Sequence, residues 1–135
     1  MKSNHPLGFT LVELLVVLAI LGLLAALVGP RVLNQLGGAK SKTAVVQIAD
    51  FERALEIYKI DVGRYPSTEQ GLAALTTKPE GLNSWNGPYL KGQVPNDPWG
   101  KAFIYSNKNG IIEIISHGSD GVVGGEGEAA DIKSR

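Results

Sequence analysis

Residues 14–28 read LLVVLAILGLLAALV, an apolar run without a single charged side chain. Counted from Phe9, the run supplies the ~20 residues that a helix needs to cross the hydrocarbon core of a bilayer. The pattern then changes. Gly29-Pro30 and Gly37-Gly38 are weak points for a helix, and beyond them Val45, Ile48, Phe51, Leu55, Tyr58 and Val62 recur at three- and four-residue steps. This spacing predicts a single apolar stripe on an amphipathic helix that continues to about residue 62. Asp50, Glu52, Arg53, Glu56 and Lys59 decorate its other faces, and Gly63 with Pro66 ends it. Residues 63–100 are dense in Pro, Gly and Asn and predict a loop region with a short helix over 69–75 and packed turns at 87–91 and 97–100. Trp85, Tyr89 and Trp99 are expected to plug the core there. Residues 102–106 and 111–116 are β-branched and aromatic, and the Asn107-Lys108-Asn109-Gly110 between them signals a hairpin.

Composition narrows the possibilities. With 135 residues, one modest domain beyond the apolar run is the ceiling. Lys and Arg total 13, as do Asp and Glu, so the surface lacks the basic excess that a nucleic-acid partner requires. The chain has no cysteine, hence no disulfide framework and no thiol nucleophile. Its only histidines are His5 and His117. Residues 116–120 contain the residue types of a hydrolytic triad, but neighbours in sequence do not make one, and no enzyme is expected.

Glu13 is the one carboxylate at the edge of the apolar run. Buried at the centre of a bilayer it would cost on the order of 3 kcal/mol, and less near an interface. It either reaches the membrane surface or has a cationic partner. A cut after Gly8 would create one, because the new amine of Phe9 would lie about one helical turn from Glu13 and could pair with it within a chain or between staggered neighbours. The competing reading is an ordinary signal peptide cut near Ala25-Ala26, which would release a soluble secreted binding protein; Glu13 and the length of the run argue against it. Charge alone orients the helix poorly. Only Lys2 precedes the run while Arg31, Lys40 and Lys42 follow it, which would place the C-terminal part in the cytoplasm.

Residues 116–131 carry Asp120, Glu126, Glu128 and Asp131 among five glycines. Four acids exclude a phosphate cradle, and the spacing is not that of an EF-hand. A solvated acidic loop and a calcium loop both remain open from these residues alone. Glycines can aim carbonyl oxygens inward while carboxylates supply charge.

The stretch GFTLVELLVVLAILGLLAALVGP resembles the N-terminus of the type IV pilins and pseudopilins. RYPSTEQGLAAL, WNGPYL, NDPWG followed by Tyr105, and SHGSDG with GGEGEAADI are similar to the major pseudopilins of type II secretion systems. The similarity runs from Gly8 to about Ile132. It implies a leader over 1–8, removed by a prepilin peptidase between Gly8 and Phe9, with N-methylation of Phe9 and a role for Glu13 in assembly. It implies an α+β fold: a long N-terminal helix, membrane-spanning over 9–29, then amphipathic and packed on a small antiparallel sheet within a periplasmic domain at 30–135, where 101–135 hold the sheet and a calcium loop. The resemblance overrides the charge rule and puts the leader in the cytoplasm. The implied calcium is structural, with Asp120 and Asp131 as the best ligands, Glu128 as a weaker one, and the carbonyls of His117 and Val122 completing the set. The implied function is that of a repeating subunit, anchored in the inner membrane before assembly, of a periplasmic helical filament that exports folded proteins across the outer membrane. Its partners would be copies of itself, minor pseudopilins, the inner-membrane secretion platform and the peptidase/methyltransferase. A type IV or competence pilin is the alternative within the class.

Overall fold

The computed structural model describes residues 7–135, so most of the leader expected over 1–8 lies outside the described residues. Helix α1 spans Leu11–Val62, strand β1 Ile104–Lys108, β2 Ile111–Ser116 and β3 Ile132–Lys133. Short helical turns occupy Leu72–Leu75 and Gly127–Ala129. The domain was expected to begin at residue 30, and the second of the chain's two compact units begins at Gly37. Between those positions the helix carries Val32, Leu33 and Leu36 exposed.

Neither weak point breaks α1. Pro30 lies inside it, and its helical φ is unstrained; the cost is the missing N–H, which leaves the Ala26 carbonyl without its usual intrahelical donor. Within the compact unit α1 buries Ala44, Ile48, Phe51, Leu55 and Tyr58. The stripe appears as the periodicity predicts, with one correction: Ala44 is fully buried and Val45 is 55% exposed. Steps of 44, 48, 51, 55, 58 hold one face, and Val45 stands about 100° away from it.

That face meets Leu72, Leu75, Phe103, Tyr105 and Ile114 in one cluster. Phe51 packs edge-on against Phe103 with centroids 5.0 Å apart, and Tyr58 against Tyr89 at 5.5 Å. Trp85 and Tyr89 act as plugs whose polar ends are satisfied: Trp85 Nε1 donates to the Ala74 carbonyl at 2.8 Å and the Tyr89 hydroxyl to Asp61 at 2.9 Å. The loop region is held to the sheet at Pro66, whose carbonyl accepts from the Tyr105 hydroxyl at 2.8 Å and from Asn107 Nδ2 at 2.9 Å. The short helix expected over 69–75 shrinks to Leu72–Leu75, because Gly71 interrupts it at φ 58°.

The hairpin is built as the Asn-Gly signal predicts. Asn109 and Gly110 both have positive φ, 55° and 86°, the conformation of a two-residue turn matched to strand twist. β1 and β2 pair antiparallel from Ile104↔Ile115 to Lys108↔Ile111. β3 adds to the other edge of β2 through Ile115↔Lys133 and Ser116↔Ile132, giving the order β1-β2-β3. This third strand, only two residues long, was not apparent from the apolar pattern.

Leu55 is fully buried, so Leu55→Ala is expected to destabilise the fold by about 2–5 kcal/mol in urea unfolding of the chain in detergent micelles. A second expectation concerns pH. Burial, then the neighbouring Tyr58 and Tyr65, push the Tyr105 phenol up from 10.0 to about 12. The unfolded phenol ionises near 10, so this contribution is complete below that pH and is lost as pH rises through about 12. Tyr105→Phe should flatten part of the alkaline loss of stability while weakening the tie to Pro66.

Candidate functional site: apolar helix and acidic glycine loop

The first unit is a bare apolar helix. Its best window has a mean hydropathy of 3.0, and none of that window is buried. Leu11, Leu18, Leu23 and Leu27 are each 65% exposed or more, and Phe9 ahead of the helix is 82% exposed. A helix apolar all round is stable only in lipid or among other apolar helices.

Its start is fixed by two side chains. The Thr10 N–H donates to Glu13 Oε2 at 2.8 Å, and the Glu13 N–H donates to Thr10 Oγ1 at 3.2 Å. This reciprocal pair is a capping box, which satisfies two of the donors that a helix N-terminus leaves open. Thr-x-x-Glu was visible in the sequence, but its capping meaning was missed beside the question of the charge. Glu13 therefore has a partner within its own helix before any neighbour arrives. Gly8 and Phe9 lie ahead of the helix, both exposed.

The acidic glycine loop follows β2. Asp131 is central: Oδ1 faces His117 Nδ1 at 2.9 Å and Oδ2 accepts the Gly124 N–H at 3.0 Å. The Gly124 bond, followed by the histidine, holds the Asp131 carboxyl below its usual range. Asp120 Oδ1 accepts the Val122 N–H at 3.0 Å in a local turn. Glu128 goes elsewhere again. Its side chain covers Gly37 on α1 so closely that any Cβ at Gly37 would collide with its carboxyl end. His117 thus participates through its ring, where only its carbonyl was expected to matter. Val122 is 62% exposed.

Calcium takes about six to eight oxygens at roughly 2.3–2.6 Å. The loop offers oxygen donors of this kind in Asp120, Asp131 and its backbone carbonyls. Among the described residues no three His, Cys, Asp or Glu side chains form a group suited to a metal ion, so carbonyl oxygens would have to complete a shell around Asp120 and Asp131. Both Asp131 oxygens already accept from protein groups. Three residues that the sequence reading passed over connect the loop to the rest of the unit: Asp97, Lys101 and Ser116. Asp97 Oδ2 accepts the Ser116 hydroxyl at 2.6 Å, and Lys101 Nζ donates to the Ser119 carbonyl at 2.6 Å. The signal available was the Asp-Pro-x-Gly turn, which places an aspartate where its side chain can cap the backbone two residues on.

An exposed membrane-length helix with a capped, glutamate-bearing start, leading into a small α+β unit, defines a pilin-like subunit. The family model described as "Prokaryotic N-terminal methylation motif" matches residues 4–29, and "Type II secretion system (T2SS), protein G" matches residues 31–135. Type II secretion system core protein G of Vibrio cholerae is 44% identical, covering 97% of this chain and 92% of the relative. The protein of that name from Pseudomonas aeruginosa is 44% identical over 98% and 96%. The crystal structure of the major pseudopilin from the type 2 secretion system of enterohaemorrhagic Escherichia coli superposes with a TM-score of 0.57 at 34% identity, over 71% of this chain and 86% of that one. The chain belongs to the type II secretion system protein G family.

Gly118 tests the loop's packing. Its φ is 64°, and a Cβ there would sit 2.5 Å from the Glu128 carbonyl oxygen and 2.9 Å from that of Ala130. Backbone atoms cannot swing aside as a flexible side chain can. Gly118→Ala should cost about 1–3 kcal/mol, read as a lower thermal midpoint with faster hydrogen exchange over residues 117–131.

Proposed function

We propose that this chain is the repeating structural subunit of the pseudopilus of a type II secretion system. The observation that carries the reading is the exposed apolar helix at Leu11–Leu36 joined to a unit of the protein G family. Before assembly the helix lies in the inner membrane with its leader in the cytoplasm and the compact unit in the periplasm. Assembly moves it from lipid into a core of like helices, so its apolar surface stays out of water throughout. The filament then helps to move folded proteins across the outer membrane, working with minor pseudopilins and the inner-membrane platform. The methylation motif at 4–29 and the protein G match at 31–135 favour this reading over a type IV or competence pilin and over a soluble secreted binding protein.

The prepilin peptidase cuts between Gly8 and Phe9 and the new Phe9 amine is methylated. That amine is a cation one turn from Glu13. With Oε2 on its own Thr10 N–H, Glu13 Oε1 has no hydrogen-bond partner among the described residues and can accept from the amine of a neighbour. The pair lowers the cost of moving a carboxylate into the filament core and sets the stagger between subunits.

Intact mass and N-terminal sequencing of membrane-extracted protein should show a chain beginning at methylated Phe9; a start near Leu27 would instead support the secreted form. Glu13→Ala should insert into the membrane and be processed, yet give severely reduced filament yield in cells carrying the secretion machinery. Because Glu13 also caps the helix, Glu13→Gln is the sharper variant. It keeps an acceptor for the Thr10 N–H and removes the charge, so assembly at the wild-type level by this variant would refute the ion pair.

A further inference from the structure

We propose that a cationic cleft at the Val62 end of the compact unit receives Glu126 of a neighbouring copy, so that subunits stack head to tail. The cleft holds about 680 Å³ and lies among the end of α1, the turn over 63–70 and the β1–β2 hairpin. Its walls are clamped to each other. The Thr68 hydroxyl donates to the Asn107 carbonyl at 3.2 Å and accepts the Asn107 N–H at 2.9 Å. Ser67 and Gln70 brace the turn in a similar way: the Ser67 N–H donates to Gln70 Oε1 at 2.9 Å and the Gln70 N–H to Ser67 Oγ at 3.2 Å.

Those bonds occupy hydroxyls and carboxamides of the wall, and the charges are what remain for a partner. Arg64 is exposed and has no ion pair among the described residues. Lys59 is exposed too, and its Nζ rests 4.4 Å from the centre of the Tyr65 ring, while the Tyr65 hydroxyl donates to Glu56. The ring holds the ammonium on the cleft wall without neutralising it. Glu69 is the one acid lining the cleft, against these two cations. Such a surface attracts a carboxylate.

The same chain carries a carboxylate at the opposite end of that helix segment. Glu128 covers Gly37, where the compact unit begins, whereas Arg64 follows just after the last helical residue, Val62. At ~1.5 Å per residue, Gly37 and Val62 lie roughly 38 Å apart along the axis. Glu126, two residues before Glu128, is exposed, and its carboxylate has no ion pair among the described residues. Cleft and acid are too far apart to meet within one chain. A contact between two different surfaces that does not close into a ring builds a filament. Exposed ion pairs contribute little to stability, so this one decides which face meets which, while the apolar helices hold the subunits together. Glu126 stands outside the candidate calcium ligands Asp120, Glu128 and Asp131, so the contact is compatible with a cation in the loop. The inference rests on the proposed function and adds the surface through which neighbours stack.

The test uses the full chain in cells carrying the secretion machinery. The chain has no cysteine, so Arg64→Cys combined with Glu126→Cys places the only two thiols on the two surfaces. Oxidation of filaments should then join subunits in a ladder of dimers, trimers and longer chains, and neither single variant should cross-link above background. Arg64→Glu should lower filament yield several-fold, and adding Glu126→Arg should restore most of it. Filaments of the double-cysteine chain without a ladder would overturn the inference and leave the proposed function standing. So would cross-linked dimers from a single variant, Arg64→Glu at the wild-type yield, or a charge swap without recovery. If Arg64→Glu does not fold, the cysteine pair decides; if the double-cysteine chain does not assemble, the charge swap decides. No filament from the wild-type chain would instead refute the proposed function, and this inference with it.

Discussion

The face of α1 running through Ile48, Phe51, Leu55 and Tyr58 is the contact on which the compact unit depends. Three strands, one of them two residues long, cannot bury a core by themselves. The helix supplies the missing layer, and the loop region between Pro66 and Gly100 supplies Leu72, Leu75 and the aromatic plugs that close it. Aromatic rings carry much of this contact because they bury large areas with few rotatable bonds. A small domain without disulfides gains its stability in this way, from one well-filled interface and from hydrogen bonds that tie loops to strands.

The same helix serves two environments with one set of backbone hydrogen bonds. Up to Leu36 its side chains are mostly apolar and exposed; from Gly37 onward a single face is buried and the others mix charged side chains with exposed aliphatics such as Val46 and Ile60. The change of partner along the helix is what a subunit that leaves a bilayer for a filament requires. The Thr10–Glu13 box adds a further constraint. Water solvates helix-terminal N–H groups in soluble proteins, but the first turn of a helix in an apolar setting must satisfy them from its own side chains. Glu13 does so here through Oε2, and Oε1 has no partner among the described residues.

At the opposite end of the chain, the glycine loop illustrates how competition among acceptors decides a site. The loop's carboxylates accept from Gly124, Val122 and His117, and Glu128 lies on Gly37 of α1, where a Cβ would collide with it. Asp97, remote in sequence, organises the base of the loop from beneath. Glycines make the loop's turns possible, and the side chains that tie it to the unit come from the end of β2 and from the turn before β1, while Gly37 of α1 leaves room for Glu128.

Much of this protein was determined by local chemistry and so could be read from its sequence. The length and apolarity of residues 14–28, the three- and four-residue stripe and the Asn109-Gly110 turn each act within a few residues, where helix period and turn geometry leave few alternatives. The spacing of Gly8, Phe9 and Glu13 identified the class for the same reason. Tertiary structure alone decided that Ala44 and not Val45 faces the core, that Ile132–Lys133 completes the sheet, and that Lys101 reaches Ser119. Each of these depends on groups far apart in sequence meeting at hydrogen-bond or van der Waals distance. A carboxylate or an ammonium has many possible partners along an unfolded chain, and only the packed fold selects among them.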